Sequence, residues 1–263
     1  MKQRIITGVI GAVGFIAAVI AGGSIFAALV TAMTITGAIE IARMLKLPAL
    51  SAAGVLGIAV SLITFLPPSW ADALGLSLES RVLAFIAAAW LLMLVPVATK
   101  NRVSFAVCGL LIFGAFYVGA GFHFFVHARE SEGALFLFLA LFAIWATDTG
   151  AYFAGRSFGR RKLWPAISPK KTIEGSLGGI VLAVIVGVTF QLMFTVFESW
   201  AVLFVFLLVV STAGQLGDLV ASAMKRQYDI KDFGRILPGH GGILDRFDSL
   251  LFVMPVLYVL QFF

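Results

Sequence analysis

Between Ile5 and Ile39 the chain carries no charged side chain, a run of 35 residues. A helix needs about 20 mostly apolar residues to cross a hydrocarbon core roughly 30 Å thick, because it rises about 1.5 Å per residue. The run is too long for one crossing and suits two, with the break at Gly22-Gly23-Ser24. It also far exceeds the apolar stretch of about 7–15 residues in a signal peptide. Composition extends the argument to the whole chain. Of 263 residues, 61% are apolar and 12% charged, and the mean hydropathy is +1.05. Ordinary soluble domains carry about 25% charged residues, so a soluble globule and a disordered chain are both excluded. Cys108 is the only cysteine and lies in an apolar run, which leaves no disulfide scaffold. The expected fold is all-α: a polytopic integral membrane protein forming one membrane-embedded domain over residues 1–263.

Further apolar segments cover about 50–67, 81–98, 103–125, 133–155, 174–196, 199–224 and 248–263, which makes about nine transmembrane helices. Basic residues in short loops mark the cytoplasmic side. With nine crossings, 17 of the 19 basic residues share one side and only Arg81 and Arg129 face the other. The N-terminus is then cytoplasmic and the C-terminus outside. Residues 1–130 read as an apolar helical scaffold. Residues 133–263 read as the catalytic half, with cytoplasmic loops 156–173 and 225–247. These two loops hold more basic residues than orientation requires.

Each loop follows a span whose last turns carry an aspartate, Asp148 or Asp218. A carboxylate at the edge of the hydrocarbon needs a partner, water or a metal. Helix capping or pairing with a nearby lysine is the plain explanation. Ser222, Lys225 and Arg226 share a helical stripe with Asp218, which can hold a metal at one end and phosphate oxygens at the other. Snorkelling of Lys225 and Arg226 at the membrane edge is the alternative. In the turn Pro238-Gly239-His240-Gly241-Gly242, three glycines leave backbone N–H groups for an anion. Asp245 and Asp248 follow at i and i+3 on a helix start. A carboxylate pair there suits Mg²⁺, or one of the two simply caps the helix. His240 reads as a phosphate hydrogen-bond donor ahead of a base or a turn residue. Zinc is not expected, since no second histidine or cysteine is near. Ser168 and Pro169 read as the cap and first residue of a helix. Lys170 and Lys171 at that helix start oppose its dipole, so a polyphosphate or a lipid phosphate is expected to compensate them.

Positions 222–248 read Ser222, Lys225-Arg226, Lys231-Asp232, Gly234, Leu237-Pro238, His240-Gly241-Gly242 and Asp245-Arg246-Phe247-Asp248. This pattern resembles the full signature of the CDP-diacylglycerol synthases, or phosphatidate cytidylyltransferases. The segments Ser168–Gly175 and Asp148–Tyr152 resemble the family too. Resemblance is strong over about 145–250, whereas the first five spans match only in being apolar.

Membership implies an enzyme that transfers a cytidylyl group from CTP to phosphatidate, giving CDP-diacylglycerol and pyrophosphate with a divalent metal. The resemblance implies that Asp218, Asp245, Lys225 and Arg226 are catalytic. Asp218 and Asp245, with Asp148 or Asp248, would hold Mg²⁺ and a second metal ion where one is used. Ser222, Lys170, Lys171, His240, Gly241, Gly242 and Arg246 would bind substrate. The implied setting is a bacterial plasma (inner) membrane, with the site facing the cytoplasm. The expected partners are CTP, phosphatidate and membrane lipid, without nucleic acid, and the glycine-rich helices suit a homodimer. A secondary transporter of an anionic substrate is the alternative from another class, and a related nucleotidyltransferase acting on another lipid phosphate is the nearer one.

Overall fold

The computed structural model describes residues 2–236, 239 and 241–263, with backbone alone at 2–7 and 10. Among them the chain forms ten helices and one two-stranded hairpin: α1 (Lys2–Ala21), α2 (Gly23–Met44), α3 (Ala52–Phe65), α4 (Pro68–Ala73), α5 (Leu78–Ala98), α6 (Phe105–Ser131), α7 (Gly133–Phe158), β1 (Lys162–Trp164), β2 (Ser168–Thr172), α8 (Ile173–Phe194), α9 (Trp200–Gln227) and α10 (Leu244–Val259). All nine expected segments are helical. Six helices, α2 and α5 to α9, are long and apolar enough to cross a membrane. Of the others, α3 has 14 residues and α10 has 16. At about 1.5 Å per residue these fall short of the roughly 30 Å core.

The expected break at Gly22 is present, with Gly22 and Gly23 both at positive φ. Arg129 closes it from α6, donating to the carbonyls of Val19 at 2.7 Å and Ile20 at 3.1 Å. A guanidinium thus satisfies orphan carbonyls at the end of α1. Between α8 and α9, Gln191 plays the matching part. Its side-chain oxygen accepts from Val196 and Phe197 N–H, at 2.8 and 3.1 Å.

The loop after α7 corrects the purely helical expectation. Ser168 and Pro169 do not open a helix. They lie on β2, which pairs antiparallel with β1 through Lys162–Thr172 and Trp164–Ser168. The cap of α8 is Thr172, whose hydroxyl accepts from Gly175 N–H at 3.1 Å. Glu174 fixes the other end of the hairpin by accepting from the N–H groups of Arg160 and Arg161 at 3.0 and 3.2 Å.

The chain divides into two compact units. One comprises residues 1–130 and 230–246, the other 131–229 and 247–263. In the first, α2 and α3 pack together and α3 packs on α5; in the second, α7, α8 and α9 pack on one another.

Candidate active site

In the second unit, α7 and α8 approach to backbone contact. A Cβ at Gly150 would stand 2.6 Å from the Gly178 carbonyl oxygen. Small residues are what permit such an approach between membrane helices. On the other side, a Cβ at Gly217 of α9 would lie 2.9 Å from the Asp248 carbonyl oxygen on α10 and 2.7 Å from Phe252 Cβ. These contacts bring four polar elements of the second unit together: the last turns of α7, the end of β2, the stripe on α9 and Asp248 in the first turns of α10.

Asp218 is the hub. Lys171 forms an ion pair with its Oδ2, and the ammonium nitrogen is shielded from solvent. Ser222, one turn on along α9, donates to Oδ1 at 3.5 Å, the long end for a hydrogen bond. Asp148 lies within electrostatic range of Asp218 and Lys171. Asp248 feels Asp218, Asp148 and Lys225, and its Oδ1 accepts from Ser249 N–H at 2.8 Å. Three carboxyl groups and two ammonium groups thus lie within electrostatic range of one another, a set of oxygen donors and cations suited to a metal ion and phosphates.

Strand geometry separates the two adjacent lysines, because successive side chains on a strand point to opposite faces. Lys171 turns to Asp218, whereas Lys170 is exposed. Arg226 is also exposed, and its Nε donates to the Ile167 carbonyl at 3.4 Å, tying α9 to the hairpin turn.

Asp245 belongs to the first unit. Its Oδ2 accepts from Phe233 N–H at 2.8 Å and from Gly242 N–H at 2.9 Å. Gly241 sits at φ 85°, a conformation that glycine adopts without a steric penalty. Glu40 on α2 accepts from Ile243 N–H through Oε1 and from Leu244 N–H through Oε2, each at 2.9 Å. Of the turn expected to offer N–H groups to an anion, Gly242 instead gives its N–H to Asp245, and the next two, Ile243 and Leu244, give theirs to Glu40. Arg246 is exposed. Leu237, Pro238 and His240 lie outside the described residues.

Glu40 is the residue that sequence reasoning missed. Its signal was its position: it ends the uncharged run that opens at Ile5, and an acid at such an edge is a functional candidate by default.

Among the described residues, no three His, Cys, Asp or Glu side chains group tightly enough to enclose a metal ion. Mg²⁺ needs no such enclosure. It usually keeps several waters and binds through one or two carboxylates plus substrate phosphates. The oxygen-only donor set of Asp148, Asp218 and Asp248 fits that chemistry.

A family model described as the cytidylyltransferase family matches residues 2–263. The chain belongs to this family. Members are nucleotidyl-transferring enzymes, and the match extends over the apolar first half as well as the polar loops. A relative from Bacillus subtilis named phosphatidate cytidylyltransferase is 46% identical over 99% of this chain and 97% of its own length. Relatives of the same name from Staphylococcus aureus and Staphylococcus haemolyticus are 40% and 39% identical, each over 99% of this chain and 98% of theirs. As a cytidylyltransferase-family member the chain is a transferase, and its apolar helices make it a membrane one.

Proposed function

We propose that the chain transfers the cytidylyl group of CTP to phosphatidate at the cytoplasmic face of a bacterial plasma membrane. The observation that carries this reading is the convergence of Asp148, Asp218 and Asp248 with Lys171 and Lys225, in a chain aligned almost end to end with relatives of that name.

In the proposed reaction a phosphate oxygen of phosphatidate attacks the α-phosphorus of CTP. The bond from that phosphorus to the α–β bridging oxygen breaks, and pyrophosphate leaves. The nucleophile is already anionic, so no strong general base is needed. The site has to bring two polyanions together and hold them in line. Lys171 and Lys225 neutralise phosphate oxygens, and Ser222 donates a hydrogen bond to one of them. Lys170, Arg226 and Arg246 are exposed cations suited to drawing in a nucleotide triphosphate or an anionic head group. Asp218, with Asp148 or Asp248, would hold Mg²⁺, and the motif assigns Asp245 a ligand role as well. Bound there, the ion would supply charge stabilisation for the leaving pyrophosphate. The positive loops face the leaflet side from which both substrates come, so the lipid need not leave the membrane to react.

Purified full-length protein incubated with labelled CTP, phosphatidate and Mg²⁺ should place the label in the chloroform phase. Omitting phosphatidate or adding a chelator should abolish it. Uptake of unchanged substrate into vesicles, with no labelled lipid formed, would overturn the reading in favour of a transporter.

A further inference from the structure

Helix α10 begins with backbone N–H groups that have no partner inside the helix. The usual solution is a Ser, Thr, Asp or Asn at the cap position, but Ile243 stands there. The partner comes from a different helix, more than 200 residues earlier in the chain. Glu40, 1% exposed near the end of α2, takes the N–H of Ile243 on one oxygen and that of Leu244 on the other. Burying a carboxylate is costly unless it is fully hydrogen-bonded, and a helix start is where an anion is most welcome.

Two glycines show how closely the loop closes over this carboxylate. A Cβ at Gly234 or at Gly242 would collide with it. The adjoining contacts belong to Asp245, which takes the N–H groups of Phe233 and Gly242. Asp245 and Arg43 are charged neighbours of Glu40. Two acids thus divide the N–H groups of Phe233, Gly242, Ile243 and Leu244 between them, so moving one disturbs the seat of the other.

We propose that Glu40 is a positioning residue for the reaction, holding the first turn of α10 so that Asp245 is presented in its working position. It acts through Asp245 and touches no substrate. The inference rests on the reading of Asp245 as a site residue.

The test uses the full-length protein in nanodiscs. Glu40→Gln keeps the size but offers one acceptor oxygen and turns an amide donor toward an N–H group. It should raise the Mg²⁺ concentration for half-maximal activity about tenfold, the usual effect of losing a group that orients a metal ligand. Backbone exchange at Ile243 and Leu244 should accelerate in protein without metal or substrate. Gly234→Ala disturbs the same carboxylate without removing it. It should shift the Mg²⁺ midpoint in the same direction, and the double variant should be no worse than Glu40→Gln. If Glu40→Gln does not accumulate, Gly234→Ala carries the test alone. A purely structural role would lower the yield of active enzyme and leave the midpoint and the KM for CTP unchanged, and that result overturns the inference. Full activity in Asp245→Asn removes the reading of the site and the inference with it. An inactive Asp245→Asn beside an unshifted Glu40→Gln overturns the inference alone.

Discussion

Lys171 at the end of β2 and Asp218 on α9 form an ion pair whose ammonium is shielded from solvent. A paired, partly buried charge is hard to remove, because the survivor is left uncompensated. The pair therefore joins the hairpin loop to the α9 stripe and also stores a cation beside three aspartates. Asp218→Asn should lower kcat by about a hundredfold, the size of effect expected when a group that holds the charge-stabilising metal ion is lost. Labelled lipid formed per folded enzyme is the measure. Near-full activity at saturating Mg²⁺ would exclude a direct role for Asp218.

Asp148 and Asp248 lie within range of Asp218, and all three carry the same sign. Neutralising one relieves repulsion in the metal-free protein. Asp148→Asn and Asp248→Asn should therefore lose activity while unfolding, in a chelator, no earlier than the parent chain. A clear fall in the unfolding temperature for both would mean that their negative charges hold the fold together.

Gly217 sets the approach of α9 to α10. In Gly217→Ala the new methyl meets the backbone of Asp248 and the side chain of Phe252, and helix backbones cannot give way as a flexible side chain can. The expected destabilisation is about 1–3 kcal/mol, as for other overpacked cores. Activity should fall further than the folded fraction, since Asp218 and Asp248 move apart. Thermal unfolding compared with activity per folded molecule separates the two effects.

The charge asymmetry predicts which loops face the cytoplasm. The native Cys108 is buried, so a single introduced cysteine can report its own side of the membrane. Lys162→Cys should react with a membrane-impermeant maleimide only after cells are opened. A cysteine added after Phe263 should react in intact cells. The opposite pattern would overturn the nine-crossing topology.

Much of the fold could be read from composition and spacing, because membrane insertion is a local property. Each apolar run forms a helix regardless of its neighbours, and every expected segment is helical, but among the described residues six of the nine are long and apolar enough to match the thickness of the hydrocarbon. The hairpin at 162–172 was misread. Ser-Pro suits a helix start and an edge strand alike, and a strand of five residues has too little periodicity to decide between them. With the strand in place, alternation turns Lys171 to Asp218 and leaves Lys170 exposed.

The sequence by itself determined that the chain is a membrane protein and, through the motif from Ser222 to Asp248, which family it resembles. Both depend on residues close together in the chain. Only the tertiary structure decided that Asp218 pairs with Lys171, that Gly217 brings α9 against α10, and that Glu40 holds the start of α10. These relationships join residues far apart in sequence, and packing alone brings them within hydrogen-bonding or ion-pairing distance. A lone glutamate at the end of an apolar run announces that it needs partners; the fold supplies Ile243 and Leu244.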